Sequence, residues 1–108
     1  MNRGDIYAIK IPKGVGHEQH GQRFAVILQS DAMLPRSVVV IAPTSTRARP
    51  ASFRPEIYLA NSVTRVLVEQ LGAVDTDRLG KRVGRIDTEE QWSIDDAVIT
   101  VLGLSYSR

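Results

Sequence analysis

The sequence predicts a small, mainly β protein: a barrel or curled sheet with one amphipathic helix packed against it at the end of the chain. Three observations lead there. Short apolar or alternating runs recur between Gly-, Pro-, Ser- and Asn-bearing breaks from Asp5 to Ile86. One of them, Val38-Val39-Val40-Ile41, is β-branched throughout, as suits a central strand. Beyond Ile86 the apolar period changes to that of a helix. At 108 residues the chain has the size of one domain with a single modest core, and residues 1–108 carry no internal repeat.

Taken in order, Asp5 to Ile11 alternates, with Tyr7, Ile9 and Ile11 on one face of a half-buried strand. Pro12-Lys13-Gly14-Val15-Gly16 then opens a glycine-rich loop. Phe24 to Leu28 is a continuous apolar run, too short for a helix, and reads as a buried strand. Ser30 to Leu34 suits a single helical turn that Pro35 ends. After the central strand, Pro43 to Pro55 reads as a long loop rich in Pro, Ser, Thr and Arg. Glu56 to Leu59 and Val63 to Val68 are two further strands with Asn61-Ser62 at the turn, and Lys81 to Ile86 is a short sixth. Asp87 with Glu90, and Thr88 with Gln91, have capping-box spacing, so the helix starts there. Ile94, Val98, Val101 and Leu102 form its i, i+4, i+7, i+8 stripe, and Gly103 stops it.

Composition narrows the class. A hydrophobic fraction of 43% and a charged fraction of 24% are those of an ordinary globular protein. The chain has no cysteine, which excludes disulfides, thiolate metal sites and a cysteine nucleophile. No apolar run approaches the about 20 residues that span a bilayer, and Met1 to Asp5 has no signal-peptide core, so a cytoplasmic location is expected. The net charge is only +2, but it is unevenly placed. Arg36, Arg47, Arg49, Arg54 and Arg65 face Glu56 alone, a local +4, whereas Glu69 to Asp96 carries −4. A nucleic-acid-facing middle with a solvated acidic back accounts for this, and so does plain surface charge.

The densest chemistry lies in Gly16-His17-Glu18-Gln19-His20-Gly21-Gln22-Arg23, directly before an apolar strand. Its histidines stand at i and i+3 rather than at the i and i+4 of the helical H-E-x-x-H zinc motif, and the flanking glycines oppose a helix, so no metal is expected. Phosphoryl transfer fits better. RNA is cut without metal when a base takes the 2′-hydroxyl proton, cationic donors hold the phosphorane and an acid protonates the leaving 5′-oxygen. His17 or Glu18 can serve as the base, and Arg23 offers a guanidinium fork for phosphate oxygens. The alternative is that Glu18 simply pairs with Arg23 and the histidines are exposed. Thr44-Ser45-Thr46 adds hydroxyl donors where the central strand opens into a loop, or is ordinary turn chemistry. Arg47, Arg49 and Arg54 with Phe53 mix cations and an aromatic ring as a single-strand-binding surface does. Arg3-Gly4-Asp5 matches a cell-adhesion tripeptide, which at a strand start in a cytoplasmic protein is a chance match.

In family order, Arg3-Gly4-Asp5-Ile6-Tyr7, then Gly16-His17-Glu18-Gln19 with Gly21 and Arg23, then Thr44-Ser45 resemble the MazF/PemK (Kid) toxins of bacterial type II toxin–antitoxin systems. Val68-Glu69-Gln70, Val74-Asp75 and Arg78-Leu79 extend the likeness more loosely. The resemblance implies a homodimer of SH3-like barrels. It implies cleavage of single-stranded RNA at short sequences with no cofactor, leaving a 2′,3′-cyclic phosphate and a 5′-hydroxyl. Arg23 matches the family's essential arginine, Thr44 its essential threonine, and Glu18 and His17 its acid/base groups. Glu69 falls where Kid-type members have a catalytic aspartate, but Leu67 replaces a nearby Kid-type arginine, which favours the MazF version of the site. Phe24 stands where the family usually has proline. Expected RNA contacts are Lys13, Gln19, His20, Ser45, Arg47, Arg49, Glu69 and Gln70, and the expected protein partner is an antitoxin with an acidic, partly disordered segment. Gyrase-inhibiting toxins of the same fold depend on a Trp-Gly-Ile terminus, whereas this chain ends Leu104-Ser105-Tyr106-Ser107-Arg108; gyrase inhibition therefore ranks lower, and a non-catalytic RNA-binding barrel remains an alternative.

Overall fold

The strands of the chain are Asp5–Ile9 (β1), Arg23–Ile27 (β2), Val38–Ser45 (β3), Glu56–Leu59 (β4), Ser62–Val66 (β5), Gly72–Asp75 (β6) and Leu79–Arg85 (β7), and Thr88–Leu102 (α1) is the helix. They come from a computed structural model that describes residues 1–10 and 23–105. All pairings are antiparallel, in the order β4-β5-β3-β2-β1-β7, with β6 added beside β3. β3 organises the sheet. Its one edge carries β2, while its other edge takes β6 against Val38 to Ile41 and then β5 against Thr44 and Ser45.

Alternation along these strands feeds two apolar clusters, one on each face. On the helix side, Ile6, Val26, Ala42, Val66 and Val68 pack with Ile57, Leu59, Ile86 and the helix residues Ile94 and Ala97. On the opposite face, Ala25 and Ile27 of β2 meet Val39 and Ile41 of β3 and Leu79 of β7, with Tyr7 and Ile9 against them. The expected Tyr7–Ile9 face of β1 is thus real but half-buried, and the deeply buried β1 residue is Ile6 on the other face.

The helix forms where its end signals place it. Asp87 caps it by accepting the Glu90 N–H, and Glu90 Oε1 accepts the Asp87 N–H in return, completing the capping box. Glu90 Oε2 takes the Tyr58 N–H at 2.9 Å, which covers part of the edge of β4. At the other end Gly103 is left-handed (φ 67°), and Leu104 N–H reaches Ile99 O while Gly103 N–H reaches Thr100 O. That is a Schellman ending. The expected apolar stripe needs one correction: Ala97 is buried and Leu102 is 52% exposed. Leu102 lies about 80° around the helix from Ile94, beyond the packed face.

Other elements depart from the sequence reading for identifiable reasons. β3 does not stop before Pro43 but runs to Ser45, so Thr44 and Ser45 belong to a strand and the loop is shorter. Pro43 is tolerated because its carbonyl takes the Leu67 N–H at the point where β3 passes from β6 to β5, so no ladder donor is needed there. β5 ends at Val66, and Val68–Gln70 forms a tight 3₁₀ turn instead of more strand. β6 was not anticipated, and β7 begins two residues early. The β4–β5 turn is Ala60-Asn61, both at positive φ (52° and 64°), one position ahead of the expected pair. The expected short turn forms over Asp31–Met33, and the Ser30 side chain caps it by accepting the Ala32 N–H. Among the described residues, no helix is long and apolar enough to cross a membrane.

Arg3-Gly4-Asp5 turns out to be a structural clamp. Arg3 Nε donates to Leu28 O and its Nη2 to Asp95 Oδ1, both at 2.8 Å, tying the end of β2 to α1. Gly4 sits at φ +90°, and a Cβ there would lie 2.9 Å from Gln91 Oε1 and 3.2 Å from Ile86. Gly4→Ala should therefore cost about 2 kcal/mol of unfolding free energy, from left-handed strain plus the crowding of helix and sheet. Urea unfolding followed by circular dichroism checks this, and an unchanged midpoint would contradict it.

Asp5 is 5% exposed and anchors the far edge of the sheet. It accepts from Asn2 N–H and pairs with Arg85 at 2.9 Å and Arg82 at 3.2 Å on β7. Burial pushes its carboxyl up, but the Asn2 N–H and the two guanidiniums outweigh burial and hold it below its ordinary 3.8. A carboxyl depressed in the folded state contributes stability that is present in full above its unfolded value and drains as pH falls through and below 3.8. Asp5→Asn should lower the melting temperature near neutral pH and flatten its fall on acidification below about pH 4.5. Melting curves from pH 3 to 7 read both effects; parallel curves for the two proteins would overturn the assignment.

Candidate functional site

Five of the expected site residues, Lys13, His17, Glu18, Gln19 and His20, lie outside the described residues. The rest can be placed. Arg23 is the first residue of β2, exposed, with Ile9 of β1 directly opposite. Strand alternation puts Arg23 on the face of Ala25 and Ile27, away from the helix.

Thr44 lies on the other face. It pairs with Val66 of the helix-side cluster, is only 4% exposed, and its hydroxyl donates to Phe24 O at 3.3 Å. Arg23 and Thr44 are therefore on neighbouring strands but do not share a face. The β2–β3 ladder ends at the Ala25–Pro43 pair, and beyond it Thr44 and Ser45 pair with β5. Ser45 faces the same side as Arg23, and so does Arg65, its partner on β5. Arg65 in turn pairs with Glu56 at 2.8 Å. The Ser45 hydroxyl accepts both the Arg47 and the Ala48 N–H at 3.1 Å, which holds the start of the loop after β3.

That loop divides its arginines. Arg47 and Arg49 are exposed, and among the described residues neither side chain has an ion pair. Arg54 instead turns inward. Its Nε and Nη2 reach Glu69 Oε2 at 2.8 and 2.6 Å, its Nη1 reaches Arg49 O, and its guanidinium lies 5.5 Å from the Phe53 ring. Phe53 packs on the helix-side core, so Arg54 and Phe53 secure the loop and are not an open nucleic-acid surface. The Arg54 hydrogen bond holds the Glu69 carboxyl below its ordinary 4.5 despite the opposing effect of burial. Its Oε1 is buried with no partner among the described residues. Gln70 follows, exposed on the 3₁₀ turn. The basic middle of the chain is thus weaker than its sequence suggests, because Arg54 and Arg65 are neutralised by Glu69 and Glu56. At this end of the sheet the exposed Arg23, Arg47 and Arg49 place positive charge near the Ser45 hydroxyl, a cationic rim able to engage a polyanion.

Sequence reasoning missed the shared face of Arg23 with Ser45 and Arg65, because register decides it. It also missed the Arg3 and Asp5 clamps. The only sequence signal for those was the Arg3-Gly4-Asp5 run itself, whose partners lie up to 92 positions away.

Residues 2–102 match the PemK-like, MazF-like toxins of type II toxin–antitoxin systems, and the chain belongs to that family. It is 38% identical over 104 residues to the candidate toxin Rv3098A of Mycobacterium tuberculosis, across 94% of this chain and 97% of that one. It is 29% identical over 111 residues to the endoribonuclease MazF9 of the same organism, across 91% and 92%. The fold matches that of a mycobacterial endoribonuclease solved in complex with its cognate antitoxin, with a TM-score of 0.80, 19% identity and 99% coverage of both chains.

Proposed function

We propose that this toxin is an endoribonuclease that cleaves single-stranded RNA without a metal ion. The observation that carries the reading is the exposed Arg23, fixed by β2 on the same face as Ser45 and beside a loop that presents Arg47 and Arg49. MazF9, related over most of its length, is itself an endoribonuclease, which supports the same activity here.

In the proposed reaction the 2′-oxygen attacks the adjacent phosphorus while its proton passes to a base, Glu18 or His17. The P–O5′ bond breaks, and an acid returns a proton to the 5′-oxygen. The products are a 2′,3′-cyclic phosphate and a 5′-hydroxyl. Arg23 neutralises charge on the non-bridging oxygens as it builds. Thr44 serves by pinning β3 to the Phe24 carbonyl, directly after Arg23, which fixes the start of β2. Arg47, Arg49 and Gln70, with Lys13, Gln19 and His20, contact the flanking nucleotides. The working unit is a cytoplasmic homodimer, and an antitoxin with an acidic segment blocks it by competing for the cationic rim. The fold match to a toxin bound by its antitoxin supports that partner.

The test is incubation of the purified protein with a long RNA in EDTA, followed by chemical mapping of the cut ends. Cuts at a recurring short sequence with cyclic-phosphate ends are expected. Retained RNA binding without cuts would replace this reading with a non-catalytic RNA-binding barrel.

A further inference from the structure

We propose that Tyr58 is a stacking platform for one nucleobase of the RNA strand, to one side of the cleavage site; this rests on the proposed action on single-stranded RNA. Alternation along β4 sends Ile57 and Leu59 into the helix-side core and leaves Tyr58 on the other face. Among the described residues it is the most exposed large apolar or aromatic side chain, at 74%. Val63, its partner on β5, shares that face and is exposed too. Two residues along β5 from Val63 stands Arg65, with Glu56 opposite it on one side and Ser45 on the other. Tyr58 is therefore on the same face as Ser45, two strands and two residues away. At ordinary strand spacing that is about 12 Å, so a base on Tyr58 flanks the cut.

The ring stands on a fixed strand. Ile57 and Leu59 anchor β4 from below, and Glu90 Oε2 accepts the Tyr58 N–H at 2.9 Å. An aromatic face on a rigid support, with Arg47 and Arg49 nearby for the phosphates, takes single-stranded nucleic acid by stacking, because every base has a flat face of its own. The size of the patch selects the occupant. A stable protein interface needs about 800 Å² from each partner, and a tyrosine with a valine covers less than half of that. One base needs only one ring. A second exposed aromatic, Trp92 on α1, lacks the right surroundings: Glu89 and Asp96 lie three residues before and four after it, on its own side of the helix, and repel phosphate.

The test uses a short single-stranded RNA with a 2′-deoxyribose at the mapped cleavage position, and a set of the same oligonucleotides each lacking one base. In the wild type, loss of one particular flanking base should weaken binding about 10-fold or more, read by fluorescence anisotropy. Tyr58→Ala should weaken binding of the intact oligonucleotide by a similar factor and make that abasic position neutral. Tyr58→Phe should keep the wild-type profile, because the ring face binds and the hydroxyl does not. In cleavage, Tyr58→Ala should raise KM with kcat changed by less than about two-fold, and its melting temperature should stay within a few degrees of the wild type. Trp92→Ala should alter neither binding nor KM. An abasic profile in Tyr58→Ala identical to that of the wild type, or equal losses of affinity from Tyr58→Ala and Trp92→Ala, would overturn the inference while leaving RNA cleavage standing. So would a changed oligomeric state of Tyr58→Ala with unchanged RNA affinity, which would make the patch a protein interface. A wild-type protein that neither binds nor cuts RNA would overturn both.

Discussion

Arg23→Ala should leave a folded protein that cuts RNA about 10³-fold more slowly than the wild type. The two halves of that expectation have separate causes. Arg23 is exposed at the first position of β2, and neither apolar cluster includes it, so truncation opens no cavity. Substitutions of that kind usually shift stability by within about 0.5 kcal/mol. The activity loss is large because a preorganised charged donor acts on charge that appears only in the transition state, where one such donor is worth about 10²- to 10³-fold in rate. Arg23→Lys should recover part of the loss, since it keeps the charge but not the two-pronged geometry. Single-turnover cleavage beside a thermal melt reads both halves. Near-wild-type cleavage by a well-folded Arg23→Ala protein would remove Arg23 from the site.

The largest effect on stability is expected at Ile94. It is fully buried and joins α1 to Ile57, Leu59, Ile86 and the middle of the sheet through the helix-side cluster. Ile94→Ala removes three carbons from a packed site, which costs about 2–5 kcal/mol once the cavity is counted. For a domain of this size that is a fall in melting temperature on the order of 10–25 °C. Leu102→Ala on the same helix should shift it by only a degree or two, because Leu102 is already in solvent. Below its melting transition the Ile94→Ala protein should still cut RNA, since Ile94 lies on the face opposite Arg23. Calorimetry of the two variants decides the point: equal melting shifts would mean that α1 is not anchored through Ile94.

The parts of this fold that could be read from sequence are those whose causes are local. α1 was legible because Asp87, Glu90 and Gly103 mark its ends within the chain itself. β4 was legible because its four residues alternate between the two sides of a sheet and a turn follows. β6 was not, because Gly72-Ala73-Val74-Asp75 has no pattern of its own and becomes a strand only against Val38 to Ile41. The extension of β3 was hidden by Pro43, a residue that normally ends a strand, and is permitted here by the change of partner at that point.

The same division holds at the site. Residue types gave Arg23 and the hydroxyl pair Thr44-Ser45, but which hydroxyl shares a face with the arginine depends on register across three strands. The arginines of the middle segment looked alike in sequence. Only the positions of Glu56 and Glu69 separate the two that are neutralised from the exposed Arg47 and Arg49. Asp5 and Arg85, 80 positions apart, are joined by the closing of β7 onto β1, which no local pattern announces.

In the proposed site the scissile phosphate sits on the outer face of the sheet, at Arg23 on β2. The most direct measurement is a crystal structure of the wild-type protein with an oligonucleotide that carries a single 2′-deoxyribose at the mapped cleavage position, which binds but has no nucleophile. The phosphate should lie on the side of the sheet away from α1, with the Arg23 guanidinium on its non-bridging oxygens. A phosphate bound on the helix side at Thr44, or bound out of reach of Arg23, would contradict it.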